Sequence, residues 1–345
     1  MNSSKILGNS RLYCHTKYPE KDLFFSLIDY HNNYFTSDDP DKIIEFYNGF
    51  ENPDQLINWM RERPKGFSNI HEIDGEKNIV VVIPTADFNG NFAIDCRESI
   101  FKGLHIIFVE SGERGDFYFN YAHNVNVGIK KAMRYNPKWV VVSNDDVFKI
   151  DDIAILQREL SKRDENKITS VYTNKSKYHD IIFDISSYTV LYKIFLPILK
   201  HKTRYFYKTQ SKFNLKFGLV SKMATKESSM PEKMKQFAFH KLLTRTRLKD
   251  IIVPGDFLII SSFGLKILME QYKQDYLLDE NFINGHEDVD LAIKLKVGRF
   301  RTDRINYNIG DFVGSTLGNG YQRQLRTISD DVYIFEKYQS LLGDD

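Results

Sequence analysis

Cysteine is scarce: the 345 residues contain only Cys14 and Cys96, so no disulfide framework carries the fold and a reducing, cytoplasmic setting is expected. Long apolar runs are missing too. A membrane-spanning helix needs roughly 20 uninterrupted apolar residues. The nearest stretch, residues 185–199, is too short and is broken by Lys193 and Pro197. No basic-then-apolar leader opens the chain, whose residues 1–11 are polar and mixed. Excess charge of one sign is also lacking, since 48 Lys plus Arg against 46 Asp plus Glu leave +2, and the average balance names no acidic partner. There is no internal repeat and no low-complexity tract. What the chain does have is core-forming material. At 42% hydrophobic and 14% aromatic it can bury one large core or two modest ones, which excludes a miniprotein and a wholly disordered chain.

The even average hides an uneven distribution. Residues 193–249 hold fifteen basic side chains and two acidic ones, a net +13 that leaves −11 for the rest. Such asymmetry suits one segment facing a polyanionic surface while the remainder is an ordinary domain. Aromatic side chains, among them Tyr205, Phe206, Tyr207, Phe213 and Phe217, are interleaved with the cations.

Residues 1–77 are polar and aromatic, with one helical patch at 53–63 that Pro64 stops, and read as an N-terminal extension. At Asn78 the character changes. Ile79-Val80-Val81-Val82-Ile83 is a β-branched apolar run of the kind buried on both faces of a mainly parallel sheet. The signal returns at 104–109 and 139–142, with helix-compatible stretches at 92–101 and 121–135 between. That order is a doubly wound α/β half-domain. Asp151 is placed to cap a helix reaching about residue 162. After a basic insert spanning about 173–250, strand character resumes at 251–253 and 257–260. Helices are expected over 262–272, from the acidic knot at 287 through 296, and over 330–342. The domains expected are thus an extension (1–77), an α/β domain (78–320) and a C-terminal helix (321–345).

Open α/β sheets bind ligands outside the carboxyl ends of their strands. Those ends are Pro84-Thr85-Ala86-Asp87, Glu110-Ser111-Gly112 and Ser143-Asn144-Asp145-Asp146, all on one edge. Adjacent carboxylates at a strand end can merely cap a helix; here, beside two other polar strand ends, they can also give hard oxygen ligands to Mg²⁺ or Mn²⁺ and leave room for a diphosphate. Glu287-Asp288-Val289-Asp290 opens a helix, where acidic residues complement the dipole. Three carboxylates in four residues exceed that need, and one could act as a general base. A helix N-terminus lowers a carboxylate pKa whereas a base working near neutrality wants it raised, a tension the sequence leaves open. His123 and His286 read first as surface or hydrogen-bonded histidines, and Trp59 and Trp139 as packing residues. Gly314-Ser315-Thr316-Leu317-Gly318 is open between an ordinary loop and a diphosphate cradle.

Taken in order, the Val80 to Thr85 strand, Glu110, Asn126-Val127-Gly128-Ile129, Asn144-Asp145-Asp146, Gly255-Asp256-Phe257, Leu278-Asp279-Glu280 and Glu287-Asp288-Val289-Asp290-Leu291 resemble family-2 glycosyltransferases of GT-A fold. Each motif is short, and it is seven in sequence that carry the likeness. The resemblance implies a GT-A type Rossmann-like, mainly parallel sheet flanked by helices, and metal-assisted, inverting transfer of a sugar from a nucleotide-diphosphate sugar to a glycan or lipid-linked acceptor. It implies nucleotide-sugar contacts at Pro84, Thr85, Glu110, Asn126, Asn144 and Asp145, although the family more often has Asp where this chain has Glu110. It implies Asp146 as ligand to Mn²⁺ or Mg²⁺, Asp288 as general base and Glu287 beside it. Asp311 stands where the family often has a His near the metal.

Two rivals are weighed against this. A sugar nucleotidyltransferase wants a glycine-rich loop with a basic residue after the first strand, and Thr85-Ala86-Asp87-Phe88-Asn89-Gly90 supplies neither. A non-catalytic scaffold with the same fold would use the basic insert to hold a polyanion or a membrane. For the insert itself a solvated face or flap is the plain reading; docking on the anionic inner face of a membrane comes next, as a peripheral contact. Nucleic acid is disfavoured, because no recognised binding motif accompanies the charge.

Overall fold

The computed structural model describes residues 42–43, 46–47, 49–50, 53–63, 65–66, 68–111, 120–182, 247–255, 257–283, 285–312 and 326–338. Its centre is a seven-stranded sheet. In chain order the elements are α1 (Pro53–Glu62), β1 (Asn69–Ile73), β2 (Glu76–Thr85), α2 (Asn91–Asp95, running on into a wider π turn at Cys96–Ile100), β3 (Leu104–Glu110) and α3 (Tyr121–Ala132). Then follow β4 (Trp139–Ser143), β5 (Val147–Lys149), α4 (Ile153–Ser161), β6 (Ser170–Tyr172), β7 (Lys177–Ile182), β8 (Arg247–Val253), β9 (Phe257–Ser261) and α5 (Ser262–Tyr272). The chain continues through α6 (Glu287–Val297), β10 (Thr302–Arg304), β11 (Ile309–Asp311) and α7 (Ile328–Tyr338).

The strand order is β1-β3-β2-β4-β9-β6-β10, with β5–β11 and β7–β8 as separate two-stranded ribbons. Pairing is parallel between β3 and β2, β2 and β4, and β6 and β10; it is antiparallel where β1 and β9 join. Five strands therefore run one way and only β1 and β9 run the other, so the expected mainly parallel α/β sheet with flanking helices is what forms. The expected apolar runs become β2, β3 and β4 because both of their faces are buried. Val80, Val82, Ile107, Val109, Val140 and Val142 pack under α3, α5 and α6. Val81, Ile83, Ile106, Phe108 and Val141 face α2 and α4 on the other side. Gly128 lets α3 lie close on the sheet: a Cβ there would sit 2.3 Å from Val82 Cγ1 and 2.9 Å from Val109 Cγ2.

Several elements differ from the sequence reading. Residues 69–73, read as extension, form the edge strand β1, in register with β3 from Asn69↔Glu110 to Ile73↔Ile106. The cap of α4 is Asp152, whose Oδ1 accepts the Ala154 amide at 3.0 Å. Asp151 instead takes the backbone and side-chain N–H groups of Asn308 at 2.7 and 2.9 Å. Within the region read as an insert, β7 and β8 pair as an antiparallel ribbon. Residues 183–246, Asp256, Asn284 and the glycine-bearing loop 314–318 lie outside the described residues. Cys14 does too, while Cys96 is a buried free thiol that burial pushes up.

Candidate functional site

Parallel register lines up the strand ends. Pro84 and Thr85 stand beside Val109 and Glu110. Val82 stands beside Val142, which sets Ser143 and the acidic pair at the same edge one strand further on. Because β9 is antiparallel to β4, Phe257, at its start, pairs with Ser143 there, next to Gly255, which has a positive φ of 69°. Six of the ten residues singled out by sequence (Pro84, Thr85, Glu110, Asn144, Asp145 and Asp146) thus share one rim.

The rim is cross-linked by side chains. Thr85 Oγ1 donates to Asp145 Oδ2 at 2.7 Å, joining the end of β2 to the acidic turn after β4. Asp145 is half-buried, and desolvation pushes its carboxyl pKa up, against the Thr85 hydrogen bond and backbone amides that favour the ionised form. The Tyr121 hydroxyl donates to Asn144 Oδ1 at 2.9 Å, tying α3 into the same turn. Phe312 N donates to the Asp146 carbonyl at 2.8 Å, so the ribbon β5–β11 grows straight out of the acidic pair.

Glu110 is held from two sides. Its Oε1 accepts the Phe88 amide at 2.9 Å and its Oε2 meets His71 Nε2 at 2.8 Å. The Phe88 amide, followed by His71, keeps the carboxyl below the usual range. The His71 and Phe88 rings stack at 4.2 Å and 6°, and the Arg97 guanidinium lies 4.7 Å from the Phe88 centroid. His71 comes from β1, so the extension delivers a side chain to this rim.

Asn126 sits apart from the rim. Its Nδ2 donates to Leu278 O at 2.8 Å and Glu280 Oε1 at 3.0 Å, while its Oδ1 accepts the amides of Leu277 and Leu278 at 3.1 and 3.0 Å. Two donors and two lone pairs are the whole capacity of a carboxamide. Asn126 is a bracket that fixes residues 277–280 to α3. Glu280 continues the bracket, meeting His123 Nδ1 at 3.0 Å, and Lys65 donates to the Glu280 carbonyl at 3.0 Å. Burial, then the neighbouring Arg63 charge, brings Lys65 down to about 8.

Glu287 and Asp288 form the first turn of α6, after Gly285 and His286, both at positive φ. Glu287 is buried; Asp288 is half-buried and its Oδ1 accepts the Val289 amide at 2.8 Å. Asp290, wholly buried, belongs to an ionic group anchored by the last helix. Lys337 Nζ lies 2.6 Å from Asp279 Oδ2 and 2.7 Å from Asp290 Oδ1, and Lys294 Nζ lies 3.0 Å from Asp290 Oδ2. The Tyr338 hydroxyl donates to Asp290 Oδ1 at 2.6 Å and the Tyr333 hydroxyl to Asp279 Oδ2 at 3.0 Å.

Asp311 pairs in register with Val147, but its Oδ1 is 2.7 Å from Lys175 Nζ. Among the described residues no three His, Cys, Asp or Glu side chains gather as a metal cage. Lys175 was not singled out by sequence, where one lysine inside a lysine-rich stretch carries no signal. It projects from a turn after β6 that Arg304 pins through the carbonyls of Thr173 and Ser176 at 3.3 and 3.0 Å. His71 and Tyr121 also escaped notice, because nothing in their local pattern points to the distant strand ends they serve. A scan of the chain against protein-family models matches none, and a search of curated proteins returns no match.

Proposed function

We propose that the chain is a GT-A type, inverting glycosyltransferase that moves a sugar from a nucleotide-diphosphate sugar to an acceptor hydroxyl. The observation that carries this reading is the 2.7 Å bond between Thr85 and Asp145, which makes one polar rim from the ends of two parallel strands and holds a half-buried carboxyl in it. Ligands of open α/β sheets bind at such a rim. The ordered run of seven motifs supplies the reaction class, and the comparisons with known proteins add nothing to it.

The donor set fits a hard divalent cation. Asp145 and Asp146 offer carboxylate oxygens, and Asp145 meets a hydroxyl in Thr85 where a desolvated carboxylate would gain most from a positive charge. Asp146, with Asp145 beside it, is assigned the Mn²⁺ or Mg²⁺; Asp311, paired with Lys175, lies on the ribbon that leaves the same turn. When bound, the cation supplies Lewis-acid stabilisation of the departing diphosphate oxygens. The chain's own residues do the rest. Glu110 holds Phe88 and His71 as a wall beside the nucleotide, Asn144 orients the turn through Tyr121, and Asp288 takes the proton of the acceptor hydroxyl as it attacks the anomeric carbon opposite the leaving group. A single in-line displacement inverts that carbon.

The test begins with a thermal-shift screen of nucleoside diphosphates with and without Mn²⁺, since a ligand of the folded state raises its apparent stability. Donor turnover is then compared in Asp288→Asn, which is expected to keep nucleotide binding and lose transfer. Full activity in that variant removes the base assignment, and failure of every nucleotide to bind removes the transferase reading.

A further inference from the structure

The turn after β6 is held as firmly as the acidic turn after β4. Asn174 N donates to Tyr307 O at 3.2 Å, and Ser176 N to Thr173 O at 3.2 Å. The Asn174 carboxamide donates to Asn306 Oδ1 at 2.7 Å and to Asn308 Oδ1 at 3.1 Å, and Arg304 grips the carbonyls of Thr173 and Ser176. These bonds fix the backbone on both sides of Lys175.

Register places this turn on the rim. Ile259 of β9 faces Val141 of β4 on one side and Val171 of β6 on the other, and Ile260 faces Val140 and Ser170. Because β4 and β6 are each antiparallel to β9, their carboxyl ends lie at the same edge. Continued outward along the ladder, residues 173–176 leave β6 level with residues 143–146 of β4. With β9 alone between them, two strand spacings put the turns about 10 Å apart. The Lys175 side chain enters that gap. Its Nζ lies 2.7 Å from Asp311 Oδ1, and the next residue, Phe312, bonds the Asp146 carbonyl through its amide at 2.8 Å. The ammonium is thus fixed one residue away from the link to the acidic turn.

As an ion pair alone this contact does little, since the Lys175 and Asp311 side chains are 24% and 43% exposed and pairs open to water are screened. At a ligand rim the same exposure means that the ammonium can be reached from solution. It has three N–H donors, so a bond to Asp311 orients it without using it up. Resting on the transferase reading, we propose that Lys175 is a catalytic residue that donates hydrogen bonds to the departing diphosphate, with Asp311 as the residue that positions it. As the bond from the anomeric carbon to the diphosphate oxygen breaks, its electron pair stays on that oxygen. The acceptor oxygen forms the new bond to the carbon and gives its proton to Asp288. Negative charge therefore grows on the diphosphate while Lys175 keeps its protons, and a cation fixed where charge develops lowers the barrier.

Calorimetric titration with Mn²⁺ present tests the contact. UDP, GDP and CDP are each compared with the matching nucleoside in wild type, Lys175→Met and Lys175→Arg. Lys175→Met is expected to bind the diphosphate about 10–100-fold more weakly and the nucleoside as the wild type does, while Lys175→Arg keeps most of the affinity. Turnover of the corresponding sugar donor should fall on the order of a hundredfold or more in Lys175→Met. Where that variant does not fold, Lys175→Gln is read in its place. Undiminished diphosphate affinity, an equal loss for nucleoside and diphosphate, or unchanged turnover each overturns the role of Lys175 and leaves the transferase reading standing. Failure of the wild-type chain to bind any of the three diphosphates removes the transferase reading itself, and this role with it.

Discussion

Replacing Lys337 by Met is the sharpest probe of the arm that carries Asp288. The ammonium is mostly buried, close to Asp279 and Asp290 together. Burial pulls its pKa down, but Asp290 and Asp279 outweigh burial and hold it above the ordinary lysine value. Met fills a similar volume, so the variant removes the charge with little loss of packing. Deleting one partner of a buried pair costs about 3–5 kcal/mol, because the remaining charge is left uncompensated. Here Asp290 keeps Lys294 and Tyr338, and Asp279 keeps Tyr333 and the Asn281 amide at 3.0 Å, which argues for the lower figure, about 3 kcal/mol. At about 2–4 °C per kcal/mol for a large domain, the melting temperature should fall by roughly 6–12 °C. The pH dependence has a definite sign. Burial raises the Asp279 pKa, yet Lys337 outweighs it and the folded value is below the ordinary one. Its contribution is therefore present above the unfolded value and is lost as pH falls through the folded one, so wild type and variant should converge in acid. Urea melts at neutral and acid pH, with hydrogen exchange resolved to residues 277–290, make the measurement. A loss below about 1 kcal/mol, the range of an exposed pair, would refute the buried lock.

Asp145→Asn has the opposite expected effect on stability. A carboxyl whose folded pKa is raised binds more protons folded than unfolded, so stability falls as pH rises from the unfolded value through the folded one. The variant should therefore melt higher than wild type at neutral pH without cation and lose any stabilisation by Mn²⁺; a lower melting temperature without cation contradicts the burial argument. Gly128→Ala should cost about 1–3 kcal/mol by forcing α3 off Val82 and Val109, as read from a urea midpoint, and a neutral result would mean that helix and sheet are looser than described.

The parts of the fold that could be read from sequence are those whose signal is continuous along the chain. β2, β3 and β4 announce themselves as unbroken β-branched runs, and their polar ends mark the rim before any coordinates are known. Short elements had no such signal. β5, β6, β10 and β11 are three residues each, too few to show a period, and exist because a neighbouring strand already offers a ladder. β1 alternates, but His71 and Glu72 read as polar surface until β3 is seen beside them. At the site, residue types were legible and partnerships were not. Asn126 and Asp311 were placed with the ligands by resemblance; in the fold one closes a four-bond bracket and the other meets Lys175, an arrangement that depends on residues 152 and 136 positions away in the chain. Asp290 looked interchangeable with Asp288, and the return of α7 separates the wholly buried Asp290 from the half-buried Asp288.

The antiparallel edge strand has a consequence for solubility. β3 is almost wholly apolar and buried, and β1 occupies the row of amides and carbonyls it would otherwise present. A chain trimmed to begin at Asn78 would keep every element of the α/β half-domain and still bare one flank of the sheet to any passing strand, inviting edge-to-edge aggregation. β1, which gives the rim only His71, also serves to keep these molecules from growing onto one another.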